Sequence, residues 1–391
     1  MKILLLQSSV YLPSYGGGNK ANRLLLEALA ARGHYCTAIA KSVDAQQVID
    51  TTSEAEHLRR RGIQAALNDA HRLCYDYRGV TVHALKQQTL SDERLSGLRR
   101  YAEQWIHHHR PDVILVSDDK SGELLQAGLN ALPERTVLVL HTNLHLPFGA
   151  EANSHDEARR QQIAACHHRL CSTSYTQDYL RRHAGLNSAY LPFPVFGEGP
   201  FASLASFDQG AIGLINPCGL KGIDIFLELA RRLPSETFLA VPTWGADERD
   251  LQRLRAFPNV SIQQPADDIE VILRQLKVLL APSLIAETFG YVVVEAMLRG
   301  IPVLASDYGG LRDATLGVGE LLPIQPAVRQ DGEWHLPIQD ATLWEQHLRA
   351  LLQRRQDYQQ RSQQSWQAAN EWVQAIDAAA FEPYLRQVAA C

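Results

Sequence analysis

Residues 281–310 read APSLIAETFG YVVVEAMLRG IPVLASDYGG. The apolar run 278–281 leading into it is strand-sized and ends at Pro282. A helix is predicted over 291–299 and a further strand over 302–305. Strand, helix, strand in one short span is the unit of a parallel sheet. The loop 282–290 therefore sits at the carboxyl end of one strand and feeds a helix start.

The same rhythm extends outward in both directions. In the amino half, strands are predicted at 2–7, 35–40, 80–84, 113–116, 137–140 and 170–173, with a helix at 22–32 and helical segments between most of the others. Near Leu191-Pro192-Phe193-Pro194 the alternation breaks, and the residues to about 210 read as a linker of Gly, Pro and Ser. A second alternation follows: strands at 211–215, 237–241, 260–262 and 278–281, helices at 223–232, 247–256 and 268–275. The tail 343–387 reads as helical, with Trp366 and Trp372. The fold class is α/β, with two doubly wound Rossmann-like domains facing across a cleft. Boundaries fall at 1–195, 196–365 and 366–391, the last a terminal helix crossing back to the first domain. Such domains bind ligands at the carboxyl edges of their sheets.

Composition narrows the class. The chain has 391 residues, 46% of them hydrophobic, enough for two cores. No apolar run approaches the roughly 20 residues a membrane span needs, and residues 1–10 read as a first strand rather than a signal peptide. A net charge of −5 gives no footprint for nucleic acid. Basic clusters at 59–61, 99–100, 159–160 and 181–182 read as solvated helix faces, or as a docking face for an anionic acceptor or a membrane surface. Six cysteines at 36, 74, 166, 171, 218 and 391 lack CxxC spacing. They read as free thiols of a reducing cytoplasm, with contact at an inner membrane face left open. Neither the Cys166–Cys171 group nor His107–His109 has the divergence-free geometry of a metal shell, so no metal is expected.

Several residues fall where ligand chemistry needs them. The helix start at Gly290 offers unpaired amides and a positive dipole end to a diphosphate. Gly290 lets oxygen approach the backbone. Glu287 precedes the helix within reach of sugar hydroxyls. Glu295 lies inside it, where a carboxylate accepts the two hydroxyls of a ribose. In the amino half, Gly16, Gly17 and Gly18 follow the first strand after a long loop. Gly16, Gly18 and Ala21 fit a dinucleotide pattern with Asp44 as ribose acid, but the loop is longer than that fingerprint wants. His141 ends the strand 137–140 and is followed by Asn143 and His145.

The string 281–310 resembles the E-x7-E region of the family 4 retaining glycosyltransferases of the GT-B fold. Pro282-Ser283, Phe289-Gly290, Glu295-Ala296-Met297, Gly300-Ile301-Pro302-Val303 and Gly309-Gly310 match along with the two glutamates, and the two-domain layout fits over most of the chain. The resemblance implies a transferase moving a sugar from an NDP-sugar, UDP ahead of GDP, to a hydroxyl acceptor of a glycan, glycolipid or small metabolite, with neither metal nor cofactor. It gives the donor sugar to Glu287 and the ribose to Glu295. It gives sugar and phosphate to the amides of Phe289, Gly290, Tyr291 and Val292, and an approach to the donor phosphates to Gly16–Gly18. It places His141 near the donor sugar, as a catalytic residue beside Lys221 and Glu287. Relatives carry an Arg, then a Lys-Gly, after the first strand of the second domain. Lys221-Gly222 is present, but Asn216 holds the place of the Arg, which removes a bidentate diphosphate partner. Trp244 follows the next strand and reads as a wall of the donor pocket or a cap on the core. The loop 263–267 is where the base is read. Acceptor contacts are expected at 191–196 and 50–76. A nucleotide-sugar epimerase, a glycoside phosphorylase, a dehydrogenase and a non-catalytic nucleotide-sugar sensor are the competing readings.

Overall fold

The computed structural model describes the chain apart from Tyr15 and residues 43–53, 70–71, 87–92, 118–119, 198, 200, 267 and 331. Asp44, Asp118 and Asp119, together with parts of the loops 50–76 and 263–267, lie outside the described residues. The chain divides into two compact units, Met1–Val195 completed by Ile376–Cys391, and Phe196–Ala375.

In the first unit, nine strands among the described residues form one sheet. Their order is Ala66–Asp69, Arg72–Tyr77, Val80–Lys86, Tyr35–Ser42, Lys2–Gln7, Val113–Ser117, Thr136–Leu140, His168–Cys171, Ala189–Tyr190. The central strands are parallel and buried along nearly their whole length, as runs such as Ile3–Leu6 and Ile114–Val116 require when helices cover both faces. From Lys2–Gln7 the chain first builds to one side, through Tyr35–Ser42, and later to the other, through Val113–Ser117. That reversal is the switch point of this sheet.

The edge differs from the expected all-parallel pattern. Arg72–Tyr77 pairs antiparallel with Val80–Lys86, Tyr77 opposite Val80. The two connecting residues, Arg78 and Gly79, have φ of 47° and 80°. A two-residue turn with both φ positive matches the twist of a hairpin. Residues 72–76, expected as an acceptor loop, are thus a sheet strand. The segment 191–196 was likewise expected to meet an acceptor. Phe193 and Val195 are buried, and Phe193 packs edge-on to Phe381 with ring centres 5.1 Å apart. An apolar side chain there gains more from the core than from solvent contact.

In the second unit, six strands of the described residues form a parallel sheet in the order Val260–Ile262, Phe238–Val241, Ala211–Ile215, Leu276–Ala281, Val303–Ser306, Glu320–Leu322. Its switch point lies between Ala211–Ile215 and Leu276–Ala281, which pair directly. The helix Ile223–Arg232 buries Ile223, Phe226, Leu227 and Ala230 against the sheet, and Trp344 and Tyr358 from the carboxyl helices join the same core. Phe201, inside the expected linker, is packed rather than loose. Trp366 Nε1 donates to the Phe201 carbonyl at 2.7 Å, Asn370 Oδ1 accepts from the Phe201 amide at 3.2 Å, and the buried Arg299 guanidinium lies 4.3 Å from the Phe201 ring centre.

The tail divides later than expected. The helix Arg355–Gln374 belongs to the second unit, where Trp372 stacks on Phe289 at 5.4 Å. Only Ile376–Cys391 belongs with the first unit, where Arg32 Nε donates to Glu382 Oε1 at 2.7 Å.

Candidate functional site

The second unit gathers its polar groups at its switch point. After Ala211–Ile215 the chain makes a short 3-10 turn, Gly219–Lys221, and enters the helix at Ile223. Gly222 between them has φ 76°, and a Cβ there would lie 2.1 Å from the Pro282 carbonyl oxygen. Only glycine allows this turn to press against the loop that follows Leu276–Ala281. The Leu284 amide donates to the Leu220 carbonyl at 2.9 Å and locks the two loops together.

This contact brings Lys221 to Glu287. Lys221 Nζ and Glu287 Oε1 form an ion pair whose side chains are 16% and 21% exposed. The same carboxylate oxygen accepts from Ser283 Oγ at 2.8 Å, and Ser306 Oγ donates to the Ser283 carbonyl at 2.8 Å. Glu287 is also fixed through its backbone, by a parallel bridge to Gly309 and by the Gly310 amide donating to its carbonyl at 2.6 Å. A positive charge, a carboxylate and a hydroxyl are thus held by three loop segments on one sheet edge. The arrangement presents a cation for an anionic group and a carboxylate for hydroxyls.

The helix Tyr291–Met297 starts at Gly290, whose φ is 101°. Phe289 is buried against Trp372, and the Tyr291 ring packs edge-on to Phe289 at 5.5 Å. Their rings serve the core and leave the backbone of 289–292 as the part able to meet a ligand. Val292 is half-buried in the first turn and Glu295 is buried within the helix. Arg299 Nη1 donates to the Glu295 carbonyl at 3.3 Å, and Arg299 Nη2 reaches Glu270 Oε1 at 3.2 Å.

Asn216 and Trp244 flank Lys221. Asn216 has φ 63° and is buried. Its Oδ1 accepts from the Gly245 amide at 2.9 Å, which holds the 244–245 turn beside the strand end. Its Nδ2 is buried without a hydrogen-bond partner. The residue in the place of the expected Arg is therefore a backbone brace, not a replacement cation. Trp244 is 55% exposed, with the Lys221 ammonium 5.8 Å from its ring centre. It lines the cation rather than capping the core.

In the first unit the glycines occupy a different position from the predicted one. The helix spans Gly17–Ala31 rather than beginning at 22, so Gly17 and Gly18 form its first turn and Gly16, at φ 85°, caps it. A Cβ on Gly18 would meet His141 Cβ at 2.9 Å. Gly18 thus makes room for His141. His141 Nε2 lies 2.7 Å from Asn22 Oδ1, and the ring packs edge-on to Phe193 at 4.7 Å. Burial pushes its pKa down to about 3, so the ring is neutral near pH 7.

Beyond His141, Asn143 and His145 form a 3-10 turn capped by Thr142. Asn143 is buried and its Nδ2 donates to Glu151 Oε2 at 2.9 Å. The other Glu151 oxygen takes the Tyr175 hydroxyl. Burial, with Lys120 adding a smaller push, lowers His145 to about 4. Glu151, Ser283 and Asn22 were not singled out in the sequence. Ser283 was legible only as part of a motif, and Glu151 and Asn22 carry no spacing signal, because their partners arrive from other segments. Among the described residues no cluster of His, Cys, Asp or Glu is arranged to hold a metal. No helix among them is long and apolar enough to cross a membrane. The basic clusters are ion-paired on their own helices: Arg59 and Arg60 with Glu56, Arg99 with Glu103, Arg160 with Glu157, Arg181 with Asp178.

Residues 208–353 match the family model described as Glycosyl transferases group 1. No curated protein matches the chain by sequence. Among solved structures, a sucrose-phosphate synthase from Thermosynechococcus elongatus superposes with a TM-score of 0.69 at 19% identity, over 100% of both chains. Anabaena HepE in complex with UDP and glucose gives 0.66 at 16%, over 100% of this chain and 99% of that one. The catalytic domain of starch synthase IV from Arabidopsis thaliana, bound to ADP and acarbose, gives 0.65 at 13%, over 100% and 99%. At these identities the likeness speaks to the fold, which is GT-B.

Proposed function

We propose that the protein is a glycosyltransferase that moves a sugar from a nucleotide-sugar donor to a hydroxyl acceptor with retention at the anomeric carbon, using UDP-sugars ahead of GDP-sugars and no metal. The observation that carries this reading is the Lys221–Glu287–Ser283 arrangement at the switch point of a glycosyl transferases group 1 domain. Lys221 and the first-turn amides from Phe289 to Val292 meet the diphosphate. Glu287 holds hydroxyls of the donor sugar, and Glu295 the ribose. Trp244 lies along the cation. His141, Asn143 and His145 serve the donor sugar or the acceptor, and Gly16, Gly17 and Gly18 approach the donor phosphates.

Retention needs no enzyme nucleophile here. The bond from the anomeric carbon to the diphosphate oxygen breaks. The acceptor oxygen bonds to that carbon on the same face, and its proton passes to the departing diphosphate. The residues contribute position and charge stabilisation. UDP is placed first because a structural neighbour is seen with UDP and glucose.

A thermal-shift screen against nucleotide sugars tests the reading. A donor at about a hundred times its Kd adds about 2.7 kcal/mol to the folded state. No stabilisation by any nucleotide sugar would overturn it. Product analysis with the donor found then separates transfer from epimerisation. Binding without turnover with any hydroxyl acceptor would leave a sensor, the reading to which Asn216 in place of Arg lends weight.

A further inference from the structure

We infer that Asn22 is a positioning residue that fixes His141 as the neutral tautomer carrying its proton on Nε2 and leaves Nδ1 bare. All the groups involved belong to the first unit.

Four polar side chains lie at the carboxyl ends of three neighbouring strands and on the helix above them. Gln7 ends Lys2–Gln7, and Ser117 ends Val113–Ser117, directly opposite it in register. His141 follows Thr136–Leu140. Asn22 comes from Gly17–Ala31, and Gln7, Asn22 and Ser117 are all buried.

The protons of this group can be assigned from its outer end inward. Gln7 Nε2 reaches the carbonyl oxygens of Ser9 at 3.3 Å and Val10 at 3.2 Å. Carbonyl oxygens only accept, so the Gln7 NH2 must face them and Gln7 Oε1 must face inward. Asn22 Nδ2 lies 3.4 Å from that oxygen and 2.9 Å from Ser117 Oγ. The reversed amide would set two oxygens against each other, so Asn22 presents its NH2 to Gln7 and Ser117 and its Oδ1 to His141. That oxygen is 2.7 Å from His141 Nε2. Two acceptors cannot bond, so Nε2 carries the hydrogen. With a neutral ring, Nδ1 then holds only a lone pair. Nδ1 is buried and has no partner.

An unmet buried acceptor costs about 1–3 kcal/mol, and here it is imposed by a relay that begins at two main-chain carbonyls. Burial, which drives the ring pKa down to about 3, keeps a second proton off Nδ1.

The test is nitrogen-15 spectroscopy of protein labelled at histidine, with the His141 signals identified by their loss in His141→Gln. In the ligand-free wild type at neutral pH, Nε2 should show the protonated type of resonance and Nδ1 the bare type. A proton on Nδ1, or on both nitrogens, overturns the relay. Asn22→Leu, close in volume but without the acceptor, should move the signals toward the other tautomer. An unchanged tautomer in a variant with wild-type circular dichroism also overturns it.

Discussion

Lys221→Ala and Glu287→Gln separate the two halves of one ion pair, and they should move UDP affinity in opposite directions. Both side chains are mostly covered, with 16% and 21% exposed. At an effective dielectric near 20, a unit charge about 4 Å from a diphosphate oxygen is worth about 4 kcal/mol before desolvation. Charged hydrogen bonds keep roughly 1.5–3 kcal/mol of such a sum. Lys221→Ala should therefore weaken UDP roughly 10- to 150-fold. The loss should approach the upper end, because Glu287 then keeps its charge with Ser283 Oγ as its remaining side-chain partner in this group. Glu287→Gln keeps the shape and an acceptor for Ser283, removes the negative charge and frees Lys221. UDP binding should stay equal or tighten by up to about tenfold, more at low salt than at high salt. Turnover should fall about a hundredfold or more in both variants, since each loses a group placed for the transition state. Isothermal titration with UDP at two salt concentrations reads the affinities, and chromatography of the nucleotide product reads turnover. Glu287→Gln weakening UDP as much as Lys221→Ala would refute the idea that the lysine serves the phosphate and the glutamate the sugar.

Other consequences follow from single contacts. Gly222→Ala places a methyl 2.1 Å from the Pro282 carbonyl oxygen at a positive φ; stability should fall by roughly 2–4 kcal/mol in denaturant titration, with UDP affinity falling alongside it as Lys221 shifts. Asn216→Arg, which supplies the residue type that the resembling glycosyltransferases carry there, should not improve binding: it forfeits the Gly245 hydrogen bond and buries a longer side chain at φ 63°, and a loss of about 1–3 kcal/mol in unfolding free energy is expected. Trp244→Ala removes an exposed ring beside Lys221 and should weaken UDP only about two- to fivefold, the worth of an exposed cation–π contact; a hundredfold loss would give Trp244 a direct ligand role. His141 has its folded pKa lowered to about 3 by burial, below the ordinary value near 6.5. The unfolded chain therefore binds a proton first as pH falls, and stability is lost between about pH 6.5 and pH 3. His141→Gln should flatten the acid side of a melting-temperature profile over that range, with His145 leaving a smaller residual slope.

Much of the fold was legible because parallel strands buried on both faces leave unbroken apolar runs, and because Gly and Pro punctuate them. Residues 211–215 and 223–232 show this, matching Ala211–Ile215 and Ile223–Arg232 to the residue. The hairpin at 72–86 was missed. Its turn, Arg78-Gly79, takes a conformation that arginine rarely adopts, so the usual Asn-Gly signal is absent. The first helix was begun five residues late, since glycines are poor helix formers, and Gly18 sits in its first turn where a Cβ would meet His141.

The sequence by itself determined the site on the second unit as far as local order reaches. Glu287, Gly290 and Glu295 lie on one continuous loop and helix, where spacing along the chain is spacing in space. Tertiary structure decided which groups from distant segments join them. Lys221 meets Glu287 across 66 positions of chain, because two strands neighbouring in the sheet are far apart in sequence. Asn22 meets His141 across 119. It also gave two residues roles that residue order does not show: Asn216 braces the Gly245 turn, and Gly18 yields space to a histidine. Neither role leaves a trace in residue order, because each depends on which backbone lies within about 3 Å of a side chain once the sheet has formed.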